Sequence, residues 1–109
     1  PSTMKTMLTA LSAAVLFLTA APMVALADHP LTIINNADQA IEYINISPVD
    51  SNQWGDDWLR PDQVLESGNR ITFTIASGCL QDIRVTFMDH HQVEKRNFDT
   101  CQYDLRVNY

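Results

Sequence analysis

Three groups of residues in this 109-residue chain have types and spacings that could do chemistry. The first is Asp50-Ser51-Asn52-Gln53-Trp54-Gly55-Asp56-Asp57-Trp58. Oxygen donors with glycine at the sixth position resemble the start of a calcium loop, which wants acids or amides at positions one, three and five and a bidentate glutamate at twelve. Here position five is Trp54 and position twelve is Pro61, so the EF-hand pattern is broken. A looser calcium site using Asp50, Asp56 and Asp57 stays open. The same segment offers a second chemistry. Trp54 and Trp58 are four apart, and on a helical turn they would share a face. Exposed, they form an aromatic platform for a sugar, a peptide or a protein; buried, they plug one end of the fold. With Asp56 and Asp57 beside them, they are the candidate contact surface.

The second group is the basic trio Arg84, Lys95 and Arg96, and the third is Cys79 with Cys101. If a hairpin turns at Asp89-His90-His91, its partners sum to 180, so Arg84 faces Arg96 and Cys79 faces Cys101. Like charges placed directly opposite are unfavourable. That arrangement calls for a carboxylate between them (Asp82, Glu94 and Asp104 are near) or for an external anion. The cysteines are expected to form a disulfide that closes the open end of the ribbon. Of the histidines, His90 and His91 fall on the turn. His29 would be second in a chain beginning at Asp28, where an α-amine and an imidazole can chelate copper, although Pro30 offers no third amide. There is no G-x-S-x-G, no cysteine paired with a free histidine and no H-E-x-x-H. Nothing here requires an enzyme or a cofactor.

The elements that must position these groups read as strands. Leu31–Asn35 alternates and closes at the turn-forming Asn35-Asn36-Ala37-Asp38. Residues 40–47 form a second strand, where Ile41 and Tyr43 fall out of phase with Ile44 and Ile46, the mark of a bulge. Ile71, Phe73 and Ile75 share a face of the next strand, Ile83, Val85 and Phe87 of another, and Tyr103, Leu105, Val107 and Tyr109 of the last. Pro48 cannot donate to a ladder and ends the second strand. The irregular stretch after it, to residue 69, is long enough to be functional or to pack as its own lid. Turn signals at intervals of about ten residues indicate an all-β fold. A small antiparallel β-sandwich or open barrel of six or seven strands is expected.

Residues 1–27 differ in kind. Pro1-Ser2-Thr3 precede Met4 and read as a vector remnant. Lys5, the apolar run Leu8–Leu18, the helix-breaking Pro22 and the small-x-small pattern Ala25-Leu26-Ala27 predict a signal peptide over 4–27. Met7–Ala27 is also long enough to span a bilayer, but Thr6, Thr9, Ser12, Thr19 and Pro22 dilute it and no basic stop follows. Cleavage leaves one domain, residues 28–109, periplasmic or secreted, with no membrane attachment. That part holds all thirteen acids and six of the seven Lys and Arg, net −7. Such a balance argues against nucleic acid, which needs clustered cations. Export into an oxidising space favours the disulfide.

The strings Leu31-Thr32-Ile33-Ile34-Asn35-Asn36, Ile46-Ser47-Pro48, Trp54-Gly55-Asp56-Asp57-Trp58-Leu59 and Gly78-Cys79-Leu80-Gln81-Asp82-Ile83-Arg84, with the closing Cys101, resemble a family of small exported bacterial proteins. Its pattern includes W-G-x-D-x-L and G-C-x-x-D-[IL]-R. The resemblance spans residues 31–101 and implies export and an all-β fold. Some members carry the label argininosuccinate lyase, which would imply a small lyase or hydrolase. The lyase of that name is large and helical, and its signature is missing from this chain. The reading that fits best is a non-enzymatic binding module whose partner is a protein or a small ligand.

Overall fold

Alternation of apolar and polar residues builds six strands in the computed structural model, which describes residues 27–109. The expected vector remnant and nearly all of the expected leader lie outside the described residues. The strands are β1 (His29–Asn35), β2 (Ile41–Pro48), β3 (Arg70–Ile75), β4 (Leu80–Phe87), β5 (Gln92–Asp99) and β6 (Leu105–Val107). They form two three-stranded sheets, ordered β3-β1-β6 and β2-β4-β5. Leu31, Ile33, Ile75, Leu105 and Val107 from the first sheet meet Ile41, Ile44, Ile46, Ile83, Val85 and Phe87 from the second, and all are buried. Alternate residues of β1, β4 and β6 supply most of this layer, as a two-layer β-structure requires, and β5 adds only the part-buried Val93 and Phe98.

The bulge in β2 is present. The β2–β4 register shifts between Ile41 and Tyr43, so Ile41, Ile44 and Ile46 all face inward while Tyr43 turns to solvent. Asn35 is fully buried at the end of β1 and satisfies every polar group it carries. Its Nδ2 donates to the carbonyls of Gln39 and Leu65, and its Oδ1 accepts from the N–H of Ala37. Its own N–H and C=O bond Asn69 and Gly68. One asparagine thereby ties the β1–β2 turn to the segment that leads into β3.

Three expectations need correction. First, β6 runs parallel to β1 (Ile33↔Leu105, Asn35↔Val107), so the sheets are not antiparallel throughout. The reason lies at the start of both strands. The imidazole of His29, opening β1, lies 2.6 Å from the hydroxyl of Thr100, just before the turn into β6. Both strands leave from the same end and must travel the same way. Second, the last inward row is shorter than the alternation implies. Leu105 and Val107 are buried, but Tyr103 and Tyr109 are 60% and 56% exposed. Third, the β4–β5 hairpin runs two residues off the expected register, with Arg84 opposite Glu94 and Val85 opposite Val93. A bulge then sets Arg96 and Asn97 against the single residue Asp82, Asn97 taking a φ of 54°. Thr100 therefore bonds backbone to backbone with Cys79, and Cys101 lies one residue beyond.

The disulfide forms nonetheless, Cys79–Cys101, with Cα atoms 5.1 Å apart and 22 residues of separation. Closing a loop of that length is worth about 3 kcal/mol in the chain-entropy account. A domain this size buries only about 60–65% of its unfolded surface, so the clip is a large share of a total near 5 kcal/mol. The paired substitution Cys79→Ala with Cys101→Ala is expected to lower unfolding free energy by about 3 kcal/mol, measured by urea denaturation at equal m-value. A loss under about 1 kcal/mol would show that the β4–β5 ribbon holds itself together.

Candidate functional site

The segment 49–69 is laid along the outer edge of β2. The N–H of Ile41 donates to the carbonyl of Leu65 and that of Leu65 to the carbonyl of Ile41, both at 2.9 Å. Further along, the N–H of Trp58 donates to the carbonyl of Ile44 at 2.7 Å. The matching N–H of Ile44 is met by a side chain: Asp57 Oδ1 accepts it at 2.9 Å and also accepts the N–H of Leu59 at 3.0 Å. Short aspartate side chains make such bonds to backbone two residues on. Leu59 and Leu65 drop into the core from this strip. The long irregular stretch is an edge cover, and its regular contacts explain why so polar a sequence stays ordered.

Residues before Asp57 fold over the outer face of the β2-β4-β5 sheet. Trp54 lands on two cations, with the guanidinium carbons of Arg84 and Arg96 at 4.7 and 4.6 Å from its ring centroid. Cations at that range are drawn to the ring's negative face. Arg96 is further held by Glu94 at 2.8 Å and Asp82 at 3.2 Å. Those bonds, Glu94's first, raise its pKa above the ordinary arginine value. The other oxygen of Asp82 accepts the N–H of Asn97 at 3.0 Å, closing the bulge. Arg84 lies beside Asn45, donating to Oδ1 at 3.3 Å, and Asn45 Nδ2 in turn donates to the carbonyls of Gly55 and Asp56. Among the described residues, the Nε of Arg84 is buried without a partner. A buried donor in that state carries a desolvation cost. Next to the indole is a polar depression of about 90 Å³, lined by Ser47, Ser51, Asn52, Gln53, Trp54 and Arg96.

The two tryptophans therefore part company. Trp54 is half-buried over the arginines, whereas Trp58 is 37% exposed and packs edge-on against Phe73 at 5.4 Å. They do not share a helical face, because the segment has no helix. Asp50 and Asp56 are exposed, and Asp57 spends its carboxylate on backbone. Among the described residues, the cluster spaced to hold a metal is Cys79, Asp99 and Cys101, whose sulfurs are joined. Asp50, Asp56 and Asp57 are not brought together. The expected facing of Arg84 and Arg96 is replaced by a meeting at Trp54, the shifted register setting Glu94 opposite Arg84 and leaving Arg96 two residues further along the same face. Asn45 and the orphaned Arg84 Nε were not legible beforehand, since nothing in alternation reveals which outer-face residues a distant loop will cover.

At the hairpin tip, Asp89 collects three donors. Tyr109 gives its hydroxyl, Gln39 its Nε2 at 3.0 Å and His91 its backbone N–H at 3.0 Å. The Tyr109 ring lies 4.5 Å from that of His91 and 5.2 Å from that of Phe87. His91 is thus part of an aromatic stack, while His90 caps the turn at a φ of 73°. His29 sits in β1 with its Nε2 engaged by Thr100.

No protein-family model, no curated protein and no solved structure matches this chain.

Two outcomes follow from these contacts. Asp57→Ala strips the acceptor from two N–H groups and is expected to cost about 1–3 kcal/mol, with Asp57→Asn recovering most of it, by thermal and urea unfolding. Equal losses in both variants would mean the charge, not the acceptor, matters. At the tip, the Tyr109 bond, then the His91 N–H, hold the Asp89 carboxyl below the usual carboxylate range, and Asp89 raises the Tyr109 hydroxyl. The Asp89 contribution to stability is then present above the ordinary carboxylate pKa and fades as pH falls through the lowered one. The Tyr109 contribution is present below the ordinary tyrosine pKa and fades as pH rises through the raised one. Carboxyl-carbon NMR titration of Asp89 should show a midpoint that climbs in Tyr109→Phe; an unmoved midpoint would contradict the tether.

Proposed function

We propose that the chain is a non-enzymatic, exported binding module, periplasmic or secreted, whose contact surface is the Trp54 shelf. The observation that carries this reading is the half-buried indole held over Arg84 and Arg96 beside a polar depression. Aromatic rings and arginines fixed on a rigid sheet are the groups that contribute most at contact surfaces. The arginines are placed by β-strand register, and the segment carrying the indole is tied over them by the bonds of Asn45 to the carbonyls of Gly55 and Asp56. The depression presents hydroxyl, amide and guanidinium groups, so its ligand is polar: an acidic or hydroxyl-rich small molecule, or a protein surface bearing such groups. Among the described residues, the groups with displaced pKa values are Tyr43, Asp89, Arg96 and Tyr109; Asp89 and Tyr109 are bonded to each other at the hairpin tip, and of the four Arg96 alone lines the depression. That favours recognition over acid–base chemistry, which needs two titratable groups converging on one bond.

The disulfide accords with an oxidising compartment. So does the resemblance of the W-G-D-D-W-L and G-C-L-Q-D-I-R segments to small exported proteins, whose membership is part of this proposal. The test separates the two tryptophans. In capture from periplasmic extract and culture fluid, Trp54→Ala is expected to lose a specific partner, with affinity down tenfold or more. Trp58→Ala, whose ring serves Phe73, is expected to keep it once circular dichroism confirms folding. Undiminished capture by Trp54→Ala would place the contact surface elsewhere.

A further inference from the structure

The strip along β2 closes one side of the sandwich; among the described residues the other side, between β5 and β6, stands open. There Ile83, Val85 and Val93 of one sheet and Leu105 and Val107 of the other line a hollow of about 100 Å³. Cavities of roughly 150 Å³ with such walls admit a benzene, so this one suits a single branched aliphatic side chain.

Lys95 stands at the hollow. It continues the cross-strand row Ile46–Ile83–Lys95, whose other members are core residues, so the register puts it on the inward face. It is the sole lysine of residues 27–109 in a net-acidic domain. Among the described residues both ion pairs belong to Arg96, and residues 1–26 contain no acid, so no carboxylate serves Lys95. The third feature is backbone. The carbonyl of Val107 bonds Asn36 on the β1 side. By the alternation of a ladder, the N–H and C=O of Arg106 point to the free edge of β6, and Arg106 lines the hollow. An apolar socket, an uncommitted ammonium and one free strand-edge pair converge within three residues of β6.

The geometry points to a docking site for the carboxyl-terminal residue of an extended peptide ending in an aliphatic side chain. The side chain fills the hollow, the terminal carboxylate meets Lys95, and the Arg106 backbone pairs with the incoming strand. Strand addition and carboxylate capture are established ways of holding peptide ends. An inward lysine on an edge strand discourages ordinary strand addition; a strand that ends in a carboxylate is the kind it admits.

NMR titration of the ¹⁵N-labelled protein tests this with a hexapeptide ending in leucine, its carboxamide, and 4-methylpentanoate. Saturable shifts are expected at Val93, Lys95 and Leu105–Asn108, with the carboxamide binding about fivefold more weakly. Lys95→Gln should bring the free acid down to the carboxamide's affinity and leave the carboxamide unchanged, and Val93→Phe should block both. Trp54→Ala should change none of this, which separates the site from the Trp54 shelf. The proposal fails if no saturable shifts appear, or if acid and carboxamide bind alike. It fails too if 4-methylpentanoate matches the peptide without moving the Arg106 amide, which would make the hollow a small-acid pocket.

Discussion

Everything on the β2 side of this molecule depends on how the free backbone of β2 is satisfied. An edge strand with Ile41, Ile44 and Ile46 facing inward and its outer N–H and C=O groups unpaired would invite another chain. The chain answers with its own segment 49–69, pairing Leu65 with Ile41 in both directions and Trp58 with Ile44. Asp57 stands in for the missing carbonyl at Ile44. Once that strip is in place, Leu59 and Leu65 complete the core and Trp58 reaches Phe73 on the opposite sheet. The preceding residues have no course left but to fold over the outer sheet face, which delivers Trp54 to the arginines.

A second constraint meets the first at Asp82. Its bulge places Arg96 and Asn97 against one residue, and Arg96 lies over the Trp54 ring. Lys95 lies on the inward face, so Arg96, one step on, faces outward; the extra residue resets the alternation beyond it, so that Phe98 meets Gln81 and packs against the core. Asp82 compensates by accepting from both the Arg96 guanidinium and the Asn97 N–H, so the backbone donor of the left-handed Asn97 is paired. Like charges that would repel across a flat ladder are instead held over one indole, with Glu94 and Asp82 neutralising Arg96.

The strand class, the β2 bulge, the disulfide and the inward rows of β1, β3 and β4 were legible because each is a local pattern. Period two, a phase slip and a turn tripeptide are written in adjacent residues. The hairpin register was not, because the Asp82 bulge is a two-against-one pairing that no residue type announces; Asn97 in a left-handed conformation is its faint trace. Nor was the parallel β1–β6 pair, which depends on a crossing between sheets and on the meeting of His29 with Thr100. The segment 50–58 was marked by composition alone. Its two tryptophans stand out in the sequence, but their separate fates turn on where Asp57 anchors, a contact thirteen residues back in the chain.

The link between the start of β1 and the end of the β4–β5 ribbon explains how so small a fold keeps that crossing. Thr100 has one hydroxyl proton, and the Cys79 carbonyl at 2.7 Å takes it. Its oxygen is then an acceptor, so His29 must donate through Nε2, which fixes the imidazole tautomer. β1 is thereby joined through Thr100 to the disulfide-clipped base of the β4–β5 ribbon. From that junction the chain runs on to β6, which pairs only with the last three residues of β1, Ile33–Asn35. A strand so short cannot cover the far side of the core. The apolar hollow between β5 and β6 is the geometric consequence of the same junction that sets the direction of β6.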